Sequence, residues 1–140
     1  VARSTSLIFR RLGMEVAYLA PGSMMPREVP PEIPQFGNWR DAFEWKPDVI
    51  YLLRVQGERL DEPLIPSAAE YHRNYGLTNE RVEILRERGL HLMHPGPVNR
   101  GVEITDAGMN YERCLINQQV ENGIAVRMSV LYWLRPGAVE

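Results

Sequence analysis

Five consecutive apolar residues, Val49-Ile50-Tyr51-Leu52-Leu53, run directly into an arginine, Arg54. An unbroken β-rich apolar run reads as a strand buried on both faces, the pattern of a parallel sheet covered by helices. Upstream, Met14 to Ala20 alternates loosely and contains Val16 and Tyr18, so it reads as another strand. Between the two, Asn38 followed by Asp41 marks a helix start, with Trp39, Phe43 and Trp45 to bury and Pro47-Asp48 to end it. Strand, helical crossover and strand together predict a parallel α/β arrangement.

Arg54 makes the end of the apolar run chemically informative. A guanidinium there is costly to desolvate unless it is paired or faces a solvent-filled cleft. Its planar fork suits two-point binding of a carboxylate or phosphate. Gln56, two residues on, points the same way if strand geometry continues. The alternative is a structural ion pair between Arg54 and Glu58, and both hold if Glu58 orients Arg54 for a ligand.

A second apolar run, Leu90 to Met93, leads into His94-Pro95-Gly96-Pro97-Val98-Asn99-Arg100-Gly101. Pro95 and Pro97 fix φ, remove two backbone donors and bias the residues before them towards extended geometry. Gly96 between them leaves its backbone open to close approach. The result is a stiff, carbonyl-presenting loop where a strand ends, the position at which open α/β sheets bind ligands. A tight turn that only redirects the chain fits the same residues.

The remaining segments supply the cover. Ile8 and Leu12, four apart, give residues 4–12 one helical face, with Gly13 at the C′ position. Five prolines make residues 21–34 loop, with Met24 and Met25 covering the core edge. Ser67 and Glu70 have capping-box spacing and open a helix that carries Tyr71 and a solvated His72 until Tyr75-Gly76 breaks it. Thr78 caps the next helix, with Val82 and Leu85 inward, Glu83 spaced to meet Arg86, and Gly89 at its end. Near the C-terminus Ile116, Val120, Ile124, Met128 and Leu131 form an amphipathic stripe, which Asn122-Gly123 is expected to kink or break. Gln118 and Gln119 flank this stripe as packing-edge residues, and Tyr132, Trp133 and Leu134 need something to dock on.

A chain of 140 residues suits one domain, and 44% hydrophobic with 24% charged residues is the composition of a soluble globular protein. A net charge of −2 argues against a nucleic-acid or anionic-membrane surface. No apolar run approaches the roughly 20 residues of a membrane span. One cysteine, Cys114, excludes an intrachain disulfide and suits a reducing compartment. Gly-x-Gly-x-x-Gly after a strand, the phosphate-cradling Gly-x-x-x-x-Gly-Lys-Ser/Thr loop and Gly-x-Ser-x-Gly do not occur. The three histidines and Cys114 have no metal-ligand spacing, so no cofactor or metal is expected.

Taken in order, Leu53-Arg54-Val55-Gln56-x-Glu58-Arg59, Tyr75-Gly76-Leu77-Thr78, His94 through Ile104, and Asn122-Gly123-x-Ala125-Val126-Arg127-Met128 resemble the aspartate carbamoyltransferases, over nearly the whole chain from Val1-Ala2-Arg3-Ser4 onward. The resemblance implies transfer of a carbamoyl group from carbamoyl phosphate to L-aspartate in pyrimidine (UMP) synthesis, by cytoplasmic trimers of two-domain α/β subunits. It implies that residues 1–140 form the aspartate-binding domain: a three-layer, doubly wound, mostly parallel, Rossmann-like sheet, incomplete at its N-terminal strand. Arg54 would grip an aspartate carboxylate and Gln56 would assist. The backbone of Pro95, Gly96 and Pro97 would receive the carbamoyl moiety, and Glu58 and Arg59 would belong to a closing loop. No residue is an obvious general base, and the departing phosphate can take the proton.

Departures from the family pattern accompany the match. The phosphate-binding Ser-Thr-Arg-Thr-type loop is not in these residues, nor is the arginine that would precede Val1, nor the strand before it, whose loss would leave a gap or an unpaired edge. The chain is therefore expected to be a fragment that needs a carbamoyl-phosphate domain and lacks transferase activity alone. Ornithine-type relatives carry a Cys in a His-x-Leu-Pro loop where Gly96 stands here, and Arg54 suits an acidic substrate. A non-catalytic amino-acid-binding or scaffold domain retaining the fold is the alternative of another class.

Overall fold

The computed structural model describes residues 1–55 and 67–135. Four short strands form two parallel pairs, and six α-helices surround them among the described residues. Helix α1 (Ala2–Arg11) precedes β1 (Tyr18–Leu19), which pairs in parallel with β2 (Gln35–Phe36) through a register of Tyr18 with Gln35. Between them the proline-bearing segment is loop with one 3₁₀ turn, Gly22–Met24. The parallel α/β arrangement expected from the sequence is what forms, and its strands divide into two separate pairs.

Helix α2 (Trp39–Glu44) begins where Asn38 accepts a hydrogen bond from the Asp41 N–H, a side-chain cap that satisfies one orphan donor. It buries Trp39 and Phe43 and delivers the chain to β3 (Val49–Tyr51). β3 pairs with β4 (His91–Met93), Val49 opposite His91 and Tyr51 opposite Met93. The crossover holds α3 (Ala68–Tyr75), capped by Ser67, and α4 (Asn79–Arg88), capped by Thr78 and closed by Gly89 in the left-handed conformation at φ 65°. Leu92 lies at the centre. Beyond its pairing with Ile50, its N–H bonds the Arg113 carbonyl and its carbonyl accepts from the Leu115 N–H, so β4 is flanked on both sides. Around it Leu77, Val82, Leu85, Ile104, Tyr111 and Ile116 complete the core.

Several expectations need correction. β3 is not buried on both faces: Val49 is 44% exposed and Ile50 and Tyr51 are half-buried, because among the described residues β3 is paired along one edge only. Ile8 and Leu12 of α1 face solvent; its inward contacts are the Ser6 hydroxyl, 2.6 Å from the Tyr18 hydroxyl, and the Phe9 ring, edge-on to Tyr51 at 5.6 Å. Helix α1 thus touches both strand pairs. After the short α5 (Asp106–Met109), α6 (Ile116–Trp133) runs without a break through Asn122-Gly123, since one helical glycine costs only about 1 kcal/mol. Of its apolar stripe only Ile116 is buried, and Leu131, Trp133 and Leu134 are each more than 70% exposed. No described helix is long and apolar enough to cross a membrane.

Candidate functional site

Parallel pairing of β3 with β4 places their C-terminal ends side by side. The pairing extends one step further, with the Leu52 N–H donating to the Met93 carbonyl at 2.8 Å. The chain then leaves β3 through Arg54 and Val55, and leaves β4 through His94. The two stretches singled out by sequence therefore emerge next to each other, although 40 positions separate Arg54 from His94.

His94 is fully buried and anchors its loop at two points. Its backbone N–H donates to Gln119 Oε1 at 3.1 Å, and its Nδ1 accepts from the Gly96 N–H at 2.8 Å. That second bond requires a lone pair on Nδ1, so the ring proton sits on Nε2, which meets no hydrogen-bond partner among the described residues. Burial pushes the imidazole pKa below its usual 6.5, with the nearby Glu103 carboxylate partly opposing that shift. Gly96 adopts φ 66°, a left-handed angle that glycine takes without strain, and a Cβ there would press on Val120 at 3.3 Å. The following Gly96–Pro97 peptide is cis. Pro95 and Gly96 are half-buried and Pro97 is exposed, so the loop backbone borders solvent.

The two chain exits are tied together at Val55. Glu103, only 2% exposed, accepts the Val55 N–H on Oε1 at 2.6 Å and the Asn99 N–H on Oε2 at 2.7 Å. The Asn99 side-chain amide donates to the same Oε1 at 2.8 Å and to the Val55 carbonyl at 3.0 Å. Three N–H donors thus solvate a carboxylate that would otherwise be costly to bury. Tyr71 is pushed up to about 12, first by burial and then by the negative charge of Glu103. Glu103 is itself held from behind, its carbonyl accepting the Leu77 N–H at 2.7 Å. That contact joins the Tyr75-Gly76-Leu77-Thr78 motif to the loop.

Of the residues picked out by sequence, Arg54 and Pro95-Gly96-Pro97 follow the adjacent C-terminal ends of β3 and β4. Gln56, Glu58 and Arg59 lie outside the described residues. His72 is not a solvated surface residue: it is half-buried, and its Nδ1–H donates to the Val102 carbonyl at 3.1 Å. Gln119 does more than edge the packing, since its amide also donates to the Tyr51 hydroxyl at 2.9 Å and so links β3, the His94 backbone and α6. Asn99 and Glu103 carried no individual signal in the sequence, although the four-residue spacing between them places them in one turn. Among the described residues there is no cluster of three metal-ligating side chains.

Comparison with known proteins gives this geometry a family. The sequence model described as aspartate/ornithine carbamoyltransferase, Asp/Orn binding domain, matches residues 1–134. An aspartate carbamoyltransferase catalytic subunit from Akkermansia muciniphila is 65% identical over 136 residues, which is 97% of this chain and 44% of that protein. Its counterpart from Leifsonia xyli is 41% identical over 138 residues, 98% of this chain and 44% of the relative. The chain therefore spans less than half the length of these curated relatives. The crystal structure of aspartate transcarbamoylase from Trypanosoma cruzi in complex with carbamoyl phosphate superposes with a TM-score of 0.65 at 23% identity, over 84% of this chain and 40% of that one, a likeness of fold. The chain belongs to the aspartate/ornithine carbamoyltransferase family and corresponds to its Asp/Orn-binding domain.

Proposed function

We propose that this chain supplies the aspartate-binding half of an aspartate carbamoyltransferase, a cytoplasmic homotrimer acting in pyrimidine synthesis. In that reaction the amine nitrogen of L-aspartate bonds to the carbonyl carbon of carbamoyl phosphate. The bond from that carbon to the phosphate oxygen breaks, and N-carbamoyl-L-aspartate and phosphate leave. The observation that carries the reading is the adjacency of Arg54 and the Pro95-Gly96-Pro97 loop at the ends of two paired parallel strands, tied at Val55. The 65%-identical relative, an aspartate carbamoyltransferase catalytic subunit by name, supports the same reaction.

In this reading Arg54 holds a substrate carboxylate with its planar fork, and Gln56 assists at the amino acid. The backbone of Pro95, Gly96 and Pro97 receives the carbamoyl group and the attacking amine, and Glu58 and Arg59 close over them. Catalysis then rests on positioning and on stabilising charge at the carbonyl oxygen and the departing phosphate, which also takes the amine proton. Neither a metal nor a cofactor enters. A carbamoyl-phosphate domain outside these residues supplies the phosphate site.

The test uses the full-length enzyme that contains this domain. A bisubstrate analogue joining a phosphonate to aspartate is expected to bind tightly, and Arg54→Ala to lose several kcal/mol by calorimetry. Unchanged affinity removes Arg54 from the site. Assay with L-aspartate and L-ornithine side by side separates the two branches of the family, and turnover of ornithine alone overturns the acidic substrate.

A further inference from the structure

We propose that Asn99 and Glu103 are positioning residues for the amino-acid substrate, a buried clamp that fixes the Val55 peptide and through it holds Arg54 in register with the Pro95–Pro97 loop. The proposal rests on the reading of Arg54 as the carboxylate-binding residue. Val55 is itself buried, and both of its backbone polar groups end on the clamp: its N–H on Glu103 and its carbonyl on the Asn99 amide. Glu103 thus holds the peptide that joins Arg54 to Val55, and Asn99 holds the peptide that follows Val55. The two side chains also bond each other, so the backbone on both sides of the Val55 Cα has little freedom to rotate. Arg54, whose Cα is one peptide away, inherits that orientation.

The loop on the other side has independent fastenings. Gln119 holds the His94 N–H and His94 Nδ1 holds the Gly96 N–H, and neither bond passes through Asn99. Loosening the clamp should therefore disturb the Arg54 side more than the Pro95–Pro97 side. A purely structural pair would lower stability without this asymmetry. The residue types suit such a clamp, since a carboxylate can accept all three N–H bonds and the two hydrogens of a neutral amide can reach Glu103 and a carbonyl at once.

The experiment is steady-state kinetics on the full-length enzyme with Asn99→Ala, Arg54→Ala and the double variant. Asn99→Ala keeps the Asn99 N–H and Glu103 bonds to the backbone and loses the two amide contacts. The KM for L-aspartate is expected to rise about tenfold, with the KM for carbamoyl phosphate changed less than threefold. If Asn99 acts through Arg54, the double variant matches Arg54→Ala in kcat/KM for aspartate to within about threefold. Multiplication of the two effects, or a lowered melting temperature with an unchanged aspartate KM, overturns the clamp while leaving Arg54 in place. An Arg54→Ala variant with normal aspartate kinetics overturns the site reading itself and the clamp with it. Glu103→Gln keeps the volume but sets an amide N–H against the Asn99 N–H, and it must show the same non-additivity with Arg54→Ala. If Asn99→Ala does not fold, that variant alone decides.

Discussion

At Gly76 the backbone angles, φ −67° and ψ 159°, suit any residue, yet a Cβ there would lie 2.5 Å from the Val102 carbonyl oxygen and 2.6 Å from His72 Nδ1. Space, not dihedral freedom, fixes the glycine in Tyr75-Gly76-Leu77-Thr78. Gly76→Ala is expected to cost about 1–3 kcal/mol, measured as a lowered denaturation midpoint. His94 gives a pH signature. Its folded pKa lies below 6.5, so the unfolded chain binds a proton first on acidification. Its contribution is complete above about 6.5 and is lost as pH falls through the folded value. Melting temperature should therefore drop between neutral pH and pH 5, and less steeply in His94→Asn. Arg54 and the His94 loop were readable one residue at a time, because a charge ending an apolar run and two prolines around a glycine are local patterns. The role of Glu103 was not, since its carboxylate meets Val55 from 48 positions away.

Helix starts carry their own evidence, and this chain shows why they are legible. Asn38, Ser67 and Thr78 each accept a hydrogen bond from the N–H three residues on, a bond that depends only on local geometry. Ser67→Ala is expected to destabilise α3 by about 1 kcal/mol, read from thermal unfolding, and loss of the weaker 3.5 Å contact at Thr78 to cost less. Arg81 finishes what the cap begins: its guanidinium donates to the Gly76 and Arg73 carbonyls at the end of α3 and lies 5.3 Å over the Trp39 ring. Strand extents were harder to read. The apolar run from Val49 predicts burial on two sides, but burial depends on which neighbours flank a strand, and β3 pairs with β4 alone among the described residues. The stripe on α6 was legible as a pattern, and its exposure was not, for the same reason.

Over the molecule as a whole, two parallel strand pairs and one long, largely exposed helix stand out among the described residues. The 140-residue chain alone is expected to yield no carbamoylaspartate above the uncatalysed background, and robust turnover without a second chain would overturn the two-domain reading. Contiguous apolar surface on α6 should also make the isolated chain self-associate, seen as sedimentation that increases with concentration and falls in the Met128→Glu, Leu131→Glu double variant. The helix is fastened to the body at its first turn, by Ile116 in the core and by Gln119. Its 18 residues extend about 27 Å from end to end. Mechanically this is a lever with its pivot beside the His94 loop. A small tilt imposed on the far end arrives, through one amide, as a tug shared between the Tyr51 hydroxyl and the backbone that opens the loop.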